Sequence, residues 1–176
     1  MPLPNKVGVY VKQDDAYIEV APADAQWVVG PPRVGLGALA GNRVLFGRAS
    51  ASARVPAGTS MVQVVVPAEF LIVFPWGASP SDYGLLRNGT NSDRLFSVEV
   101  LCRQFGDVDC SWSDMMDRPI PFDVEKVSAR RFRVRLAQLE EGNYAFLSPG
   151  LLFLTDDSGP PPEDLLGARL YPFSVK

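Results

Sequence analysis

The chain has 176 residues, 47% of them hydrophobic, which is enough to bury a full core in a single domain over residues 1–176. Its net charge of −3 argues against the basic surface on which nucleic-acid binding depends. The absence of histidine excludes Ser-His-Asp and Cys-His catalysis, histidine bases and most zinc sites. We therefore expect no nucleic-acid partner, no cofactor and no enzymatic activity.

Proline and glycine indicate the fold class. The 16 prolines and 15 glycines are scattered along the chain and leave few uninterrupted windows as long as an average helix. We predict an all-β protein, an immunoglobulin-like antiparallel β-sandwich with at most one short helix. Because no apolar run approaches 18 residues, and because the first residues lack an apolar stretch, we expect a soluble chain with neither a membrane span nor a signal peptide.

In the first half of the chain, residues 7–11 and 17–20 flank a polar turn and predict a β-hairpin. Residues 30–53 are rich in Gly, Ala and Ser, which is typical of an irregular or edge segment. Residues 69–74 are apolar on both faces, as a central strand between two packed layers requires.

The second half contains the clearest strand pattern. Phe132, Val134 and Leu136 alternate with arginines, so that one face of the strand is apolar and the other is charged. Residues 120–127 are expected to pair with this strand. Towards the C-terminus, residues 163–167 have the start and stop signals of a single helical turn, and residues 170–175 predict a strand whose Pro172 favours an edge position.

A polar turn leads from the arginine-striped strand into another strand at residues 144–147. Leu139, Gly142 and Tyr144 resemble the corner of immunoglobulin-like sandwiches, where a tyrosine hydroxyl bonds to the backbone a few residues upstream. The apolar phases of all these strands predict one shared buried cluster. Its expected members are Phe70, Ile72, Phe96, Val98, Phe132, Val134, Tyr144 and Phe146.

Several stretches carry a resemblance to a known family. They lie at residues 8–10, 67–72 with Pro75 and Gly77 after them, 83–87, 94–96, 124–133, 142–150 and 170–173. Through them the chain resembles, over nearly its whole length, a family of β-sandwich proteins from acidobacteria-like bacterial genomes that are predicted to be exported. The resemblance implies an exported, periplasmic or cell-surface location and no activity, cofactor or catalytic residue. Family members typically carry a secretion signal, which this chain as given lacks.

Cys102 and Cys110 lie symmetrically about Gly106. A hairpin that turns near Gly106 would place them opposite each other across two strands, where a disulfide could join them. The alternative is two separate thiols. The even cysteine count and the export that the resemblance implies both favour the disulfide.

The segment that follows is acidic. Asp107, Asp109 and Ser111 repeat the alternating oxygen ligands of a calcium loop, but Trp112 stands where the sharp turn of an EF-hand needs glycine. We therefore expect a solvated acidic loop rather than a metal site. A pair of these carboxylates acting in glycoside hydrolysis is a further alternative.

Aromatic and basic side chains supply weak candidates for binding. Trp76, Tyr83 and Trp112 could line a sugar-stacking surface, although core or loop positions are the more common use of such residues. An anionic partner could be recognised by the basic stripe of Arg131, Arg133 and Arg135. The simpler interpretation is that the stripe pairs with acids on the neighbouring strand, Asp123 and Glu125.

These observations favour a non-enzymatic binding or structural module that acts through its surface on a protein partner or on a second copy of the chain. The small side chains of residues 30–53 offer little with which to build a core, and pairing against another chain would offset the cost of ordering them. A carbohydrate- or calcium-dependent lectin-like module and a carboxylate-based hydrolase are the alternatives.

Overall fold

The computed structural model describes residues 3–23, 27–29, 33–34, 45–74, 79–80, 83–88, 94–105, 107–111, 120–148, 151–152 and 169–176. These residues contain strands and turns and no α-helix, so the prediction of an all-β chain is confirmed. The helical turn expected at residues 163–167 lies outside them. The strands are β1 (Gly8–Gln13), β2 (Ala16–Val20), β3 (Trp27–Val29), β4 (Arg33–Val34), β5 (Leu45–Arg54), β6 (Val62–Val64), β7 (Ala68–Val73), β8 (Gly84–Arg87), β9 (Leu95–Phe105), β10 (Asp107–Ser111), β11 (Asp123–Ser128), β12 (Arg131–Leu136), β13 (Gly142–Leu147), β14 (Leu151–Leu152) and β15 (Leu170–Val175).

The strands form three sheets. The five-stranded sheet has the order β11-β12-β7-β1-β2 and is antiparallel throughout. The four-stranded sheet has the order β6-β15-β13-β8, and its β6–β15 pair is parallel. The six-stranded sheet has the order β14-β10-β9-β5-β3, with β4 also paired to β5.

The predicted hairpin at the start of the chain is confirmed as β1 and β2. Gln13 and Ala16 pair directly, so the turn consists of Asp14 and Asp15 alone. Asp14 has a φ of 50°, a left-handed conformation that Asp tolerates better than most residues. This short turn fixes the register of the whole hairpin.

The four-stranded sheet is apolar on both faces, because alternate residues of its strands enter different clusters. Tyr144 and Phe146 of β13 pack in the first cluster, against Phe70 of the five-stranded sheet. Ala145 and Leu147 of the same strand pack in the second cluster, with the six-stranded sheet. The four-stranded sheet therefore lies between the other two, and its strands carry few polar residues.

The expected single cluster is thus divided in two. Phe96 and Val98 belong to the second cluster, whereas five of the remaining predicted residues are buried in the first and Phe132 packs at its margin. The period of two shows which side chains of a strand share a face, but it cannot show which sheet the strand joins. The prediction of one shared cluster was therefore wrong for Phe96 and Val98.

Four strands occupy places that their local sequence does not indicate. The consecutive strands β12 and β13 belong to different sheets. β15 lies inside the four-stranded sheet, between β13 and β6, and not at the edge that Pro172 led us to expect. Pro172 has no N–H, but β6 pairs only with the residues after it, so the missing donor is tolerated. Residues 45–54, which include the end of the expected irregular or edge segment, form β5, which pairs with β9 along ten residues and with β3 and β4 on its other side.

Candidate functional site

An ion-pair network crosses the outer face of the five-stranded sheet, opposite the first cluster. Arg133 lies 3.2 Å from Glu69 on one side and donates a hydrogen bond of 3.2 Å to Glu125 on the other. Arg135 contacts the same two carboxylates, at 3.8 and 3.4 Å. The register explains this arrangement, since Arg133 stands opposite Glu125 in β11 and Arg135 stands opposite Glu69 in β7.

Glu69 is the centre of this network. It is only 23% exposed, and it also accepts a hydrogen bond of 2.7 Å from the hydroxyl of Tyr17. Burial and this hydrogen bond raise the pKa of Tyr17 above its ordinary value. Burial lowers the pKa of Arg133, but the hydrogen bond to Glu125 and the charge of Glu69 outweigh that effect, so the pKa is raised. The Nε atom of Arg133 is buried and faces Glu69 without the alignment of a hydrogen bond.

The structure therefore places Arg133 and Arg135 in an internal network and not on a free basic surface. The predicted pairing with acids of the neighbouring strand is confirmed for Glu125. Asp123 stands opposite Arg135 in the register, but the ion pairs of Arg135 go to Glu125 and to Glu69. Sequence reasoning missed Glu69, because a single charge inside an apolar run gives no sign of a partner that is far away in the chain and lies on the neighbouring strand of the sheet.

Arg131, the third arginine of the stripe, has a different environment. Its Nε donates a hydrogen bond of 2.9 Å to the backbone carbonyl of Pro4. The N-terminal segment at this point lies over a third, smaller cluster on the outer face, formed by Tyr10, Leu71 and Val73 with Leu3 packed against them. β7 is therefore covered on both faces, as its apolar sequence predicted, although one of its two covers is the N-terminal segment and not a sheet.

The two cysteines occupy paired positions. β9 and β10 pair about Gly106, and the register sets Cys110 opposite Cys102. The hairpin placement predicted from the symmetry of the sequence is confirmed for the backbone. A disulfide between the two residues stays a prediction.

The acidic candidates lie on a strand. Asp107, Asp109 and Ser111 belong to β10, whereas a calcium site of the EF-hand kind is a loop. In the part of the chain that the structure describes, no group of three or more acidic, histidine or cysteine side chains is placed to hold a metal ion. The rest of the acidic segment, residues 112–119, lies outside that part.

Of the three aromatic candidates, only Tyr83 lies among the described residues, and it is buried. Tyr83 is 1% exposed and packs edge-to-face on Phe74, with the ring centroids 4.8 Å apart. The suggestion that Tyr83 stacks on a sugar is therefore wrong, because its ring is part of the first cluster. Trp76 and Trp112 lie outside the described residues.

Exposed apolar side chains mark the edges of all three sheets. Ile18 on β2 is 40% exposed, Val28 on β3 is 69% exposed, and Val65 directly after β6 is 73% exposed. Each of these strands is the terminal strand of its sheet as described. The sequence did not reveal this feature, because the position of a strand within its sheet cannot be read from local periodicity.

Among the described residues, no helix is long and apolar enough to cross a membrane. Comparisons of the chain with protein-family models, with curated proteins and with solved structures found no match.

Proposed function

We propose that the chain is a non-enzymatic binding or assembly module whose terminal strand β2 adds to a strand of a partner protein or of a second copy of the chain. The observation that supports this proposal is the exposure of Ile18 on β2. An edge strand presents unpaired backbone N–H and C=O groups, and an exposed apolar side chain among them favours the addition of a further strand.

The two edges of the five-stranded sheet differ in a way that favours β2. β11, at the opposite edge, carries Asp123, Glu125 and Lys126 and has an irregularity between Lys126 and Ser128, devices that discourage strand addition. β2 has the sequence AYIEV, with Glu19 as its single charge and without proline. Glu19 is moreover neutralised by an ion pair with Lys6 at 3.0 Å.

We further propose an immunoglobulin-like topology and an exported location with a disulfide between Cys102 and Cys110. The topology is supported by the packing of two sheets on the first cluster and by the hydrogen bond of 2.8 Å from the Tyr144 hydroxyl to the backbone carbonyl of Glu140. The disulfide is supported by the paired positions of the two cysteines. The exported location is supported in turn by the disulfide, because such a bond persists in an oxidising compartment.

Light scattering across a concentration series tests the edge proposal. The parent chain is expected to associate as its concentration rises, and Ile18→Lys is expected to abolish that association, because a charge on the edge opposes strand addition. Val65→Lys is the matched control, since it places the same charge on an exposed valine beside a different edge strand.

Each result has a distinct meaning. Loss of association in Ile18→Lys alone would support β2 as the edge, whereas equal loss in both variants would point to a general effect of charge. A parent that stays monomeric over the whole series would exclude a second copy as the partner and leave a different protein chain.

A further inference from the structure

A small cleft lies where the N-terminal segment meets the turn between β11 and β12. Its volume is about 220 Å³. This is less than the roughly 300–1,000 Å³ of pockets that hold drug-sized ligands. The cleft can hold a small ion with a few waters. It is lined by Asn5, Val73, Ser128, Ala129, Arg130 and Arg131.

The lining of the cleft is cationic. The described residues that line it include two arginines and no carboxylate. Both arginines are half-buried, and each is fixed by a hydrogen bond of 2.9 Å from its Nε to a backbone carbonyl, that of Phe74 for Arg130 and that of Pro4 for Arg131. A carbonyl is a neutral acceptor, so the bond to Pro4 orients the guanidinium group of Arg131 without neutralising it.

Arg131 differs from the other arginines of its stripe in its ion pairs. Arg133 and Arg135 share Glu69 and Glu125, whereas no ion pair between described residues involves Arg131. A guanidinium group has five N–H donors in a planar fork, and the bond to Pro4 uses one of them. The fork matches the geometry of carboxylate and phosphate oxygens.

We propose that this cleft binds a small oxyanion, the phosphate or carboxylate group of a small molecule, with Arg131 as its principal ligand. The hydroxyl of Ser128 and the side-chain amide of Asn5 supply further donors on the cleft wall. The site is separate from β2, which lies at the other edge of the sheet from β11 and β12, so the two proposals stand independently.

Calorimetric titration at low ionic strength, with inorganic phosphate in one arm and acetate in the other, tests the proposal. The parent chain is expected to bind at least one of the two anions saturably at one site, and the two arms distinguish a phosphate from a carboxylate ligand. Arg131→Gln is expected to weaken binding by about tenfold or more, as the loss of a charge-assisted hydrogen bond implies. Arg135→Gln is the matched control on the same strand and face, and it is expected to bind like the parent.

A second variant covers the case in which Arg131→Gln fails to fold because the N-terminal segment is released. Asn5→Asp changes an exposed residue and places a negative charge in the cleft, so it is expected to abolish anion binding in a folded protein. The proposal is overturned if the parent binds neither anion saturably. It is equally overturned if a folded Arg131→Gln or Asn5→Asp variant binds as well as the parent.

Discussion

Tyr10 and Tyr144 make the same hydrogen bond in two different sheets. Each hydroxyl donates to the backbone carbonyl four residues earlier, to Lys6 at 2.9 Å and to Glu140 at 2.8 Å. A glycine stands two residues before each tyrosine, at positions 8 and 142. Each bond ties the start of a strand to the segment that leads into it, and so fixes the direction from which the chain enters the sheet.

Tyr144→Phe is expected to lower the free energy of unfolding by about 1 kcal/mol, because the carbonyl of Glu140 loses its hydroxyl donor. Tyr10→Phe is expected to have an effect of similar size for the same reason. Urea unfolding measures both costs as shifts of the midpoint at an unchanged slope. If neither midpoint moves, the two bonds are no stronger than the bonds with water that replace them.

Gly142→Ala and Gly8→Ala form a matched pair. Gly142 has a φ of 153°, where a side chain is strained, so its substitution is expected to cost about 1–3 kcal/mol. A Cβ atom on Gly8 would meet the ring of Tyr10 at 3.6 Å, which is ordinary contact, so Gly8→Ala is expected to be neutral or slightly stabilising. Thermal unfolding of both variants measures the difference, and equal melting temperatures would contradict this account.

Glu69→Gln is expected to cost more stability than Glu125→Gln. Glu69 is 23% exposed, forms ion pairs with Arg133 and Arg135, and accepts a hydrogen bond from Tyr17. We therefore expect the loss of its charge to lower the free energy of unfolding by about 1–2 kcal/mol. Glu125 is 56% exposed, and water screens its ion pairs, which limits the expected cost to below about 1 kcal/mol. Unfolding at low and at high salt checks the ranking, and only the cost of Glu125→Gln should fade substantially with salt. The reverse order would show that Glu69 is not the centre of the network.

Protein recovered from an oxidising compartment and unfolded without reductant is expected to contain no reactive thiols. The reason is that Cys102 and Cys110 are paired in the register of β9 and β10. Reduction should then lower the melting temperature, since closing so short a loop stabilises by on the order of 2–3 kcal/mol in the chain-entropy account. Two thiols that react before reduction would refute the disulfide.

Alkaline pH is expected to destabilise the fold through its tyrosines. Burial raises the pKa of Tyr171 above the ordinary value of 10.0, so the folded state holds this proton more tightly than the unfolded state does. The resulting stability is fully present below about pH 10 and is lost as the pH rises through the higher pKa of the folded state. Tyr171→Phe should therefore lose less unfolding free energy between about pH 9 and pH 11 than the parent does. An identical loss in both proteins would assign the effect to other groups.

The features predicted correctly from the sequence are those encoded over short distances. The β1–β2 hairpin, the pairing of β11 with β12 and the positions of Cys102 and Cys110 all follow from a local turn or from a period of two. Tyr144 likewise makes its corner bond within five residues of chain.

The features that were missed depend on which sheet a strand joins. β12 and β13 are neighbours in the chain, but one joins the five-stranded and the other the four-stranded sheet. The assignment of strands to sheets also places Phe96 in the second cluster and Glu69 beside Arg133. Contacts between strands that are far apart in the chain determine which sheet a strand joins, and local periodicity contains no information about such contacts.

The position of β15 has a consequence for how the chain folds. This strand pairs with β13 and, in parallel, with β6, and its residues enter both large clusters, Leu170 in the second and Phe173 in the first. Neither cluster can close until β15 has been synthesised. Because the β6–β15 pair joins segments that are far apart in the chain, we expect folding to be slow and dominated by long-range contacts.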